Sequence, residues 1–207
     1  MVFETNLPLI LLAAFVAAAS PGPATLTIAG TSMNAGRKAG LPVASGIFVG
    51  SLMWSVAAAL GLSTIMLAHA WIFEAIRYGG AAYLMYLAYK SARSALSRKD
   101  AKMTSMTGNT KALFSKGLML HLTNPKAVLF FGSLYSLGVP ADASASSLIT
   151  VIVAVGAQSF LIFHGYALLF SSKAMARLYQ RLRRAFESVF AFGFAAASVK
   201  ILTAKLQ

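Results

Sequence analysis

Six stretches of about 20 mostly apolar residues recur along this chain, and that is the length an α-helix needs to cross a bilayer. They run from about Leu7 to Ala29, Leu41 to Leu67, Trp71 to Tyr89, Gly117 to Leu137, Leu148 to Phe170 and Ala185 to Ala204. Helices and closed barrels are the structures that satisfy every backbone polar group inside hydrocarbon. Runs this long therefore predict an all-α integral membrane protein with six transmembrane helices. Composition agrees, since 58% of the 207 residues are apolar and only 11% are charged. A soluble domain carries about 25% charged residues, and a globule of this size could not cover so much apolar surface. The absence of cysteine excludes a disulfide framework, a thiol nucleophile and a cysteine-ligated metal.

Charge gives the chain a direction. Eighteen Lys and Arg face five Asp and Glu, a net charge of +13. The basic residues sit in short blocks between apolar runs rather than among aromatics, which speaks for an anionic membrane surface and against nucleic acid. Arg37 and Lys38 lie between runs one and two. Lys90, Arg93, Arg98, Lys99, Lys102, Lys111 and Lys116 lie between three and four, in a stretch whose Ser, Thr, Gly and Asn predict a solvated loop. Lys173, Arg177, Arg181, Arg183 and Arg184 lie between five and six. The opposite connections hold His69, at a tight hairpin, and Asp142. By the positive-inside rule the basic connections are cytoplasmic and both termini lie outside, with Lys200 and Lys205 running against the trend. Trp71, Tyr78 and Tyr89 fit an interfacial aromatic belt. The first six residues carry Glu4 and no Lys or Arg, so the first run reads as a retained helix rather than a cleaved signal, despite Ala17-Ala18-Ala19.

Two runs are interrupted at matching places. Ser20-Pro21-Gly22-Pro23 breaks the first and Thr123-Asn124-Pro125-Lys126 the fourth, each near its middle. Gly30-Thr31-Ser32 begins seven residues after Pro23, and Gly132-Ser133 seven after Pro125. One proline kink is common in a membrane helix; two kinks matched in position and downstream spacing mark an internal repeat. Three runs precede the basic stretch and three follow, so the second half is inverted. The expectation is one transporter domain: repeat one over about 7–89, a cytoplasmic loop over about 90–116 and repeat two over about 117–204, with helices 1 and 4 broken. Interrupted helices at corresponding places point to a secondary transporter's binding site. Gly46 and Gly50, spaced G-x-x-x-G, read as a packing face.

Several local motifs add up to a resemblance. Ser20-Pro21-Gly22-Pro23, Gly36-Arg37-Lys38-Ala39-Gly40 and Gly79-Gly80-Ala81-Ala82-Tyr83-Leu84 resemble the lysine-exporter superfamily. Leu122-Thr123-Asn124-Pro125-Lys126-Ala127 and Phe131-Gly132-Ser133 resemble its homoserine/threonine efflux branch. The resemblance covers the chain in order and implies a six-helix bacterial inner-membrane protein that exports amino acids, driven by the proton gradient. It does not decide the substrate.

The residues point the same way. Where each helix restarts, at Pro23 and Pro125, the new half-helix offers unpaired N–H groups and a partial positive charge. Such a terminus suits a carboxylate, while the carbonyls left unpaired before each break suit an ammonium group. Lys126 lies at membrane depth, where a charge costs about 2.5–3.5 kcal/mol and marks function by default. The substrate-binding set is therefore expected to be Ser20, Pro21, Gly22, Pro23, Thr25, Asn124, Pro125 and Lys126. Glu74 with Arg77, and Glu187 with Arg183 and Arg184, read as structural pairs at run ends, which leaves no intramembrane carboxylate for a basic side chain. That favours a small neutral or polar amino acid such as threonine or homoserine; a basic amino acid or another small solute is the alternative. Thr25, Trp54, Ser133 and Gln158 are expected around the side chain. Lys126, His121 and His164 are the candidates for proton coupling. The partners expected are an amino acid, protons and the bilayer, with a homo-oligomer compatible and no cofactor. An intramembrane enzyme would need a motif such as H-E-x-x-H or G-x-S-x-G, and neither is present. A channel would need charged rings, for which the runs offer Lys126 alone, and an assembly protein would not need matched breaks.

Overall fold

The computed structural model describes residues 6–68, 70–97, 103–139 and 143–203, without the side chains of 62–77, 136–138, 173, 176, 180, 200 and 201. Glu4, His69, Arg98, Lys99, Lys102, Asp142 and Lys205, and the side chains of Trp71, Glu74, Arg77, Lys173 and Lys200, lie outside the described residues. Among the described residues every regular element is helical: α1 (Leu7–Ala19), α2 (Pro23–Ala35), α3 (Arg37–Ala68), α4 (Ala70–Leu96), α5 (Thr110–Leu122), α6 (Pro125–Gly138), α7 (Ala145–Leu169) and α8 (Lys173–Thr203). The predicted interruptions fall between α1 and α2 and between α5 and α6. By length and apolarity alone, α3 over Arg37–Gly61 and α7 over Ala145–Leu169 can cross a membrane, as can α1 and α2 together, bent by 51°.

Local chemistry sets the boundaries. Asn6, Asn109 and Ser144 cap α1, α5 and α7, accepting from Leu9 N at 3.2 Å, Ala112 N at 2.9 Å and Ser147 N at 3.2 Å. Gly36 ends α2 at φ +75°, a conformation in which a side chain would be strained, and the chain enters α3 at once. One expectation needs correction. The stretch from Lys90 to Lys116 is not loop throughout, because α4 continues to Leu96 and α5 starts at Thr110. Likewise α8 begins at Lys173, well ahead of the apolar run. Basic residues can extend a helix past the apolar zone because their long stems reach back towards polar surroundings. Residues 103–107 fold onto α2, where Met106 N donates to Thr31 Oγ1 at 3.0 Å.

Apolar side chains cover the outside as well as filling the core, and small hydroxyls are buried among them. Leu60, Leu161 and Phe192 are exposed, whereas Ser51, Ser55, Ser159 and Ser198 are buried. The buried hydroxyls bond across helices: Ser55 Oγ to Tyr135 Oη at 2.7 Å, and Ser198 Oγ to the Ala81 carbonyl at 2.8 Å. An apolar exterior, with the few buried polar groups hydrogen-bonded between helices, is what a hydrocarbon solvent selects. One core joins α1, α3, α4, α6, α7 and α8 around Ile10, Ala59, Leu84, Phe131, Tyr135, Val155 and Phe194; a second joins α2, α3, α5 and α7 around Ile28, Val43, Ile47 and Phe163. Between α4 and α8, Arg183 is buried and donates to the carbonyls of Ser94 at 3.4 Å and Ser97 at 2.9 Å, while Ser94 Oγ donates to Glu187 Oε1 at 2.7 Å. The elements in contact are α3 with α4, α5, α6 and α7, α4 with α6 and α8, α2 with α3, α5 and α7, α1 with α6, α7 and α8, and α5 with α6.

The glycine face is a packing face, as its spacing suggests. A Cβ on Gly46 would collide with the Phe114 carbonyl oxygen and stand 2.8 Å from Leu118 N, both backbone atoms of α5. Gly46→Ala should therefore weaken the fold by about 1–3 kcal/mol, the usual range for overpacking. Gly61→Ala, with nothing within 4 Å, should leave stability unchanged or raised. Loss of helicity in detergent titrated with dodecyl sulfate measures both. Equal behaviour of the two variants would contradict the close approach of α3 and α5.

Candidate functional site

Both breaks are built from residues that end one helix and start another. In the first, Ser20 leaves α1 in an extended conformation and Gly22 precedes Pro23, the first residue of α2. Proline suits that position because its missing N–H would have had no intrahelical partner. Thr25 closes the turn: its Oγ1 accepts from Gly22 N at 3.0 Å and lies 3.2 Å from the Ser20 carbonyl. In the second, Asn124 caps α6, its Oδ1 accepting from Lys126 N at 3.0 Å, and Pro125 again takes the first helical place.

The two breaks meet through Lys126. Its ammonium donates to Ser20 Oγ, 106 positions away in sequence, and lies 3.4 Å from the Ser20 carbonyl. It also stands 5.7 Å from the centroid of the Phe194 ring, within cation–π range. A Cβ placed on Gly22 would be 3.3 Å from the same nitrogen, so only glycine leaves the lysine its full approach. The cation thus sits between the carbonyl end of α1, which its charge favours, and the amide end of α2.

The structure refines the expected division of labour. Three carbonyls at the end of α1 are already taken rather than free for an incoming ammonium group. The Val16 carbonyl accepts from Ser20 N at 3.1 Å, Ala17 from Ser20 Oγ at 3.0 Å, and Ala19 from Tyr166 Oη at 2.7 Å. Nor are the two restarts equivalent. At α6 the Asn124 side chain takes Lys126 N, and its carbonyl takes Ala127 N at 2.9 Å. Gly22, at the start of α2, has no side chain with which to do the same. Of the two termini, α2 is the more open to an anion, and it is the one beside the lysine.

A cavity of about 40 Å³ lies at this junction. Ser20, Gly22, Thr25, His121, Asn124 and Lys126 line it, so six of the expected residues converge. Ala14, Ala17, Phe130, Phe131 and Phe163 supply apolar wall, and Ser51 and Ser159, joined by a 3.3 Å hydrogen bond, supply polar wall. Pro21, Pro23 and Pro125 shape the breaks without lining the cavity. His164 lies elsewhere, its ring bonded to Ser45 Oγ at 3.0 Å and the Phe160 carbonyl at 2.9 Å and stacked on Phe160. Trp54, Ser133 and Gln158 do not line the cavity either. Ser133 belongs to a separate small cavity near Gly193, and Gln158 Nε2 donates to the Leu11 carbonyl at 3.1 Å. Sequence reasoning passed over Ser51, Ser159, Phe163 and Tyr166. Small hydroxyls and aromatics inside apolar runs carry no signal apart from their spacing, and each acts with a partner on another helix.

Fold and site together define an all-helical membrane protein with a polar junction between two broken helices. The chain belongs to the family of LysE type translocators, whose model matches residues 15–205. It is 33% identical over 172 residues to a threonine efflux protein of Salmonella typhimurium, covering 82% of this chain and 84% of that protein. A threonine efflux protein of Escherichia coli K12 is 31% identical over 173 residues, with the same coverage. A leucine efflux protein of Salmonella choleraesuis is 36% identical over 115 residues, or 56% of this chain and 54% of that one. No solved structure matches the chain.

The absence of native cysteine makes the junction directly measurable. With Ser51 and Ser159 oxygens 3.3 Å apart on α3 and α7, the Ser51→Cys/Ser159→Cys pair should oxidise to a disulfide within the chain. Blocked maleimide labelling after mild oxidation, restored by reductant, is the expected result. Two thiols that stay free while an exposed pair oxidises would contradict the packing of α3 on α7.

Proposed function

We propose that this chain exports small neutral or polar α-amino acids, threonine and homoserine among them, across the cytoplasmic membrane of a bacterium in exchange for protons. The observation that carries the reading is the hydrogen bond from Lys126 in one broken helix to Ser20 in the other. It supports one site assembled from both halves of the chain, with charge suited to a carboxylate. An arriving carboxylate is a stronger acceptor for an ammonium donor than the neutral hydroxyl and carbonyl of Ser20. It therefore takes over Lys126 and the free amides of α2. Released from the lysine, the Ser20 carbonyl turns to the substrate's ammonium group. Substrate binding and loosening of the two halves become one event, which is what alternating access between repeats requires. Protons enter through a group whose charge changes with occupancy, a role this reading gives to Lys126, which faces the cavity.

The repeat and the topology belong to the same proposal. Matching α1–α2 to α5–α6, α3 to α7 and α4 to α8 turns the contact of α3 with α5 into that of α7 with α1, α3 with α6 into α7 with α2, and α1 with α6 into α5 with α2, all of which occur. Those matches support a repeat, although the contacts of α2 with α3, α4 with α6 and α1 with α8 have no counterpart of similar extent; inversion, six spans and outside termini rest on the apolar runs and the charge of their connections. The relatives named for threonine efflux support the hydroxylated substrate. The one named for leucine, together with the alanines and phenylalanines of the cavity wall, favours a second reading in which the side chain is purely aliphatic.

Efflux of labelled threonine from preloaded cells tests the reading. The chain should accelerate it, and an uncoupler should abolish the gain. At matched membrane abundance, Lys126→Ala should lose at least about 90% of the flux, since removing a buried charge partner costs several kcal/mol. Lys126→Arg should recover little, because a planar guanidinium neither fits nor releases its proton. Gly22→Val should also stop export by crowding the lysine. Near-normal efflux in Lys126→Ala would contradict the site, and faster relief from a toxic lysine analogue than from excess threonine would contradict the substrate. For the topology, Thr107→Cys should resist an impermeant thiol reagent in intact cells and react after lysis; labelling in intact cells would reverse the orientation.

A further inference from the structure

We infer that His121, backed by Ser51 and Ser159, reads the side chain of the transported amino acid and selects a hydroxyl there. The inference rests on the amino-acid export reading above and assigns a selectivity residue within that site. His121 is 6% exposed, and neither of its ring nitrogens has a hydrogen-bond partner among the described residues. Buried polar side-chain atoms are nearly always partnered, so two orphaned nitrogens on one ring beside a cavity ask for a ligand.

The ring is held in place by contacts that give it no polar partner. On one side is Gly50 of α3, where an added Cβ would stand 3.0 Å from His121 Cβ and 3.4 Å from Cδ2. On another is Phe163 of α7, edge-on with ring centroids 5.8 Å apart. His121 lies in the last turn of α5, three residues before Asn124, and both line the cavity. With the substrate's charged head at Lys126 and the start of α2, its side chain points at what remains of the wall. Apart from Ser20, Thr25 and Asn124, which lie at the two breaks with the charged head, that remainder is apolar except for His121, Ser51 and Ser159.

The chemistry is complementary. A neutral imidazole offers one N–H donor and one bare nitrogen acceptor, and a hydroxyl both accepts and donates. Ser51 already spends its hydrogen on Ser159 at 3.3 Å, so the serine pair adds polarity without competing for the ring. The alanines of α1 keep the space narrow. A side-chain hydroxyl placed there can partner the ring, whereas a methyl in the same place leaves the ring nitrogens orphaned.

Threonine and valine differ only by hydroxyl against methyl, so their flux ratio reads this contact. In proteoliposomes of the full chain under a proton gradient, threonine should move faster than valine by about tenfold or more, as polar sites discriminate against analogues lacking the group they bind. His121→Leu should bring the ratio towards one while valine flux is retained. His121→Gln, which keeps a donor and an acceptor, should preserve most of the preference. An unchanged ratio in His121→Leu would overturn the inference, and so would a proportional loss of both fluxes, which would place the ring in a step common to all substrates. If His121→Leu does not insert, Ser159→Ala must lower the ratio on its own, and a ratio equal to the unsubstituted chain overturns the proposal. Absence of flux for both amino acids in the unsubstituted chain would instead strike the export reading on which the inference stands.

Discussion

Hydrocarbon tolerates no unpaired backbone polar group, and the rest of this structure depends on how the chain meets that demand at two places where its helices stop. An unbroken helix needs nothing from its neighbours to satisfy its peptide groups. A broken one needs partners: the second break finds them locally in Thr123 and Asn124, whereas the first draws them from distant parts of the chain. The end of α1 is closed by Ser20 itself, by Thr25, by the Tyr166 hydroxyl and by the Lys126 ammonium. Those partners come from α2, α7 and α6, so the interruption in α1 is also what ties both halves together. Proline and glycine create the demand; serine, threonine, tyrosine and lysine meet it.

Lysine is a costly way to meet it, since a neutral donor would have satisfied the same carbonyl. A charge in the middle of a bilayer protein costs about 2.5–3.5 kcal/mol even on the lenient scale, and the carbonyl end of α1 returns part of that. What the charge adds is readiness to change partners. A hydroxyl and a carbonyl hold an ammonium less firmly than a carboxylate does, so the contact between Lys126 and Ser20 is one a zwitterion can displace. On the export reading, that substitution links occupancy to the relative position of the two halves.

Much of this was legible from residues alone, for reasons that can be named. The helical class follows from run lengths, because the bilayer fixes how long an apolar helix must be. The breaks at Ser20–Pro23 and Thr123–Lys126 follow from proline and glycine, whose effect on a helix is local. Convergence of Ser20, Gly22, Thr25, Asn124 and Lys126 followed from matching the two halves. Helix ends on the basic side were less legible, because charge alone does not separate a loop from the amphipathic end of a helix such as α8. The choice among polar residues inside the runs was also hidden. Ser51 and Ser159 face the cavity while Ser133, Trp54 and Gln158 do not, and helix rotation, which tertiary packing sets, decides between them. For His164 the structure finds partners for both ring nitrogens; for His121 it finds none. No spacing rule separates two histidines in apolar runs.

The central claim is that the substrate's carboxylate meets Lys126 beside the start of α2. The most direct test is a distance measured by solid-state nuclear magnetic resonance in a bilayer, between ¹⁵N at Lys126 Nζ and ¹³C in the carboxyl group of bound threonine. The account predicts strong dephasing at a separation of about 4 Å, the range of a direct ion pair. Saturating threonine that leaves the Lys126 signal undephased would contradict it.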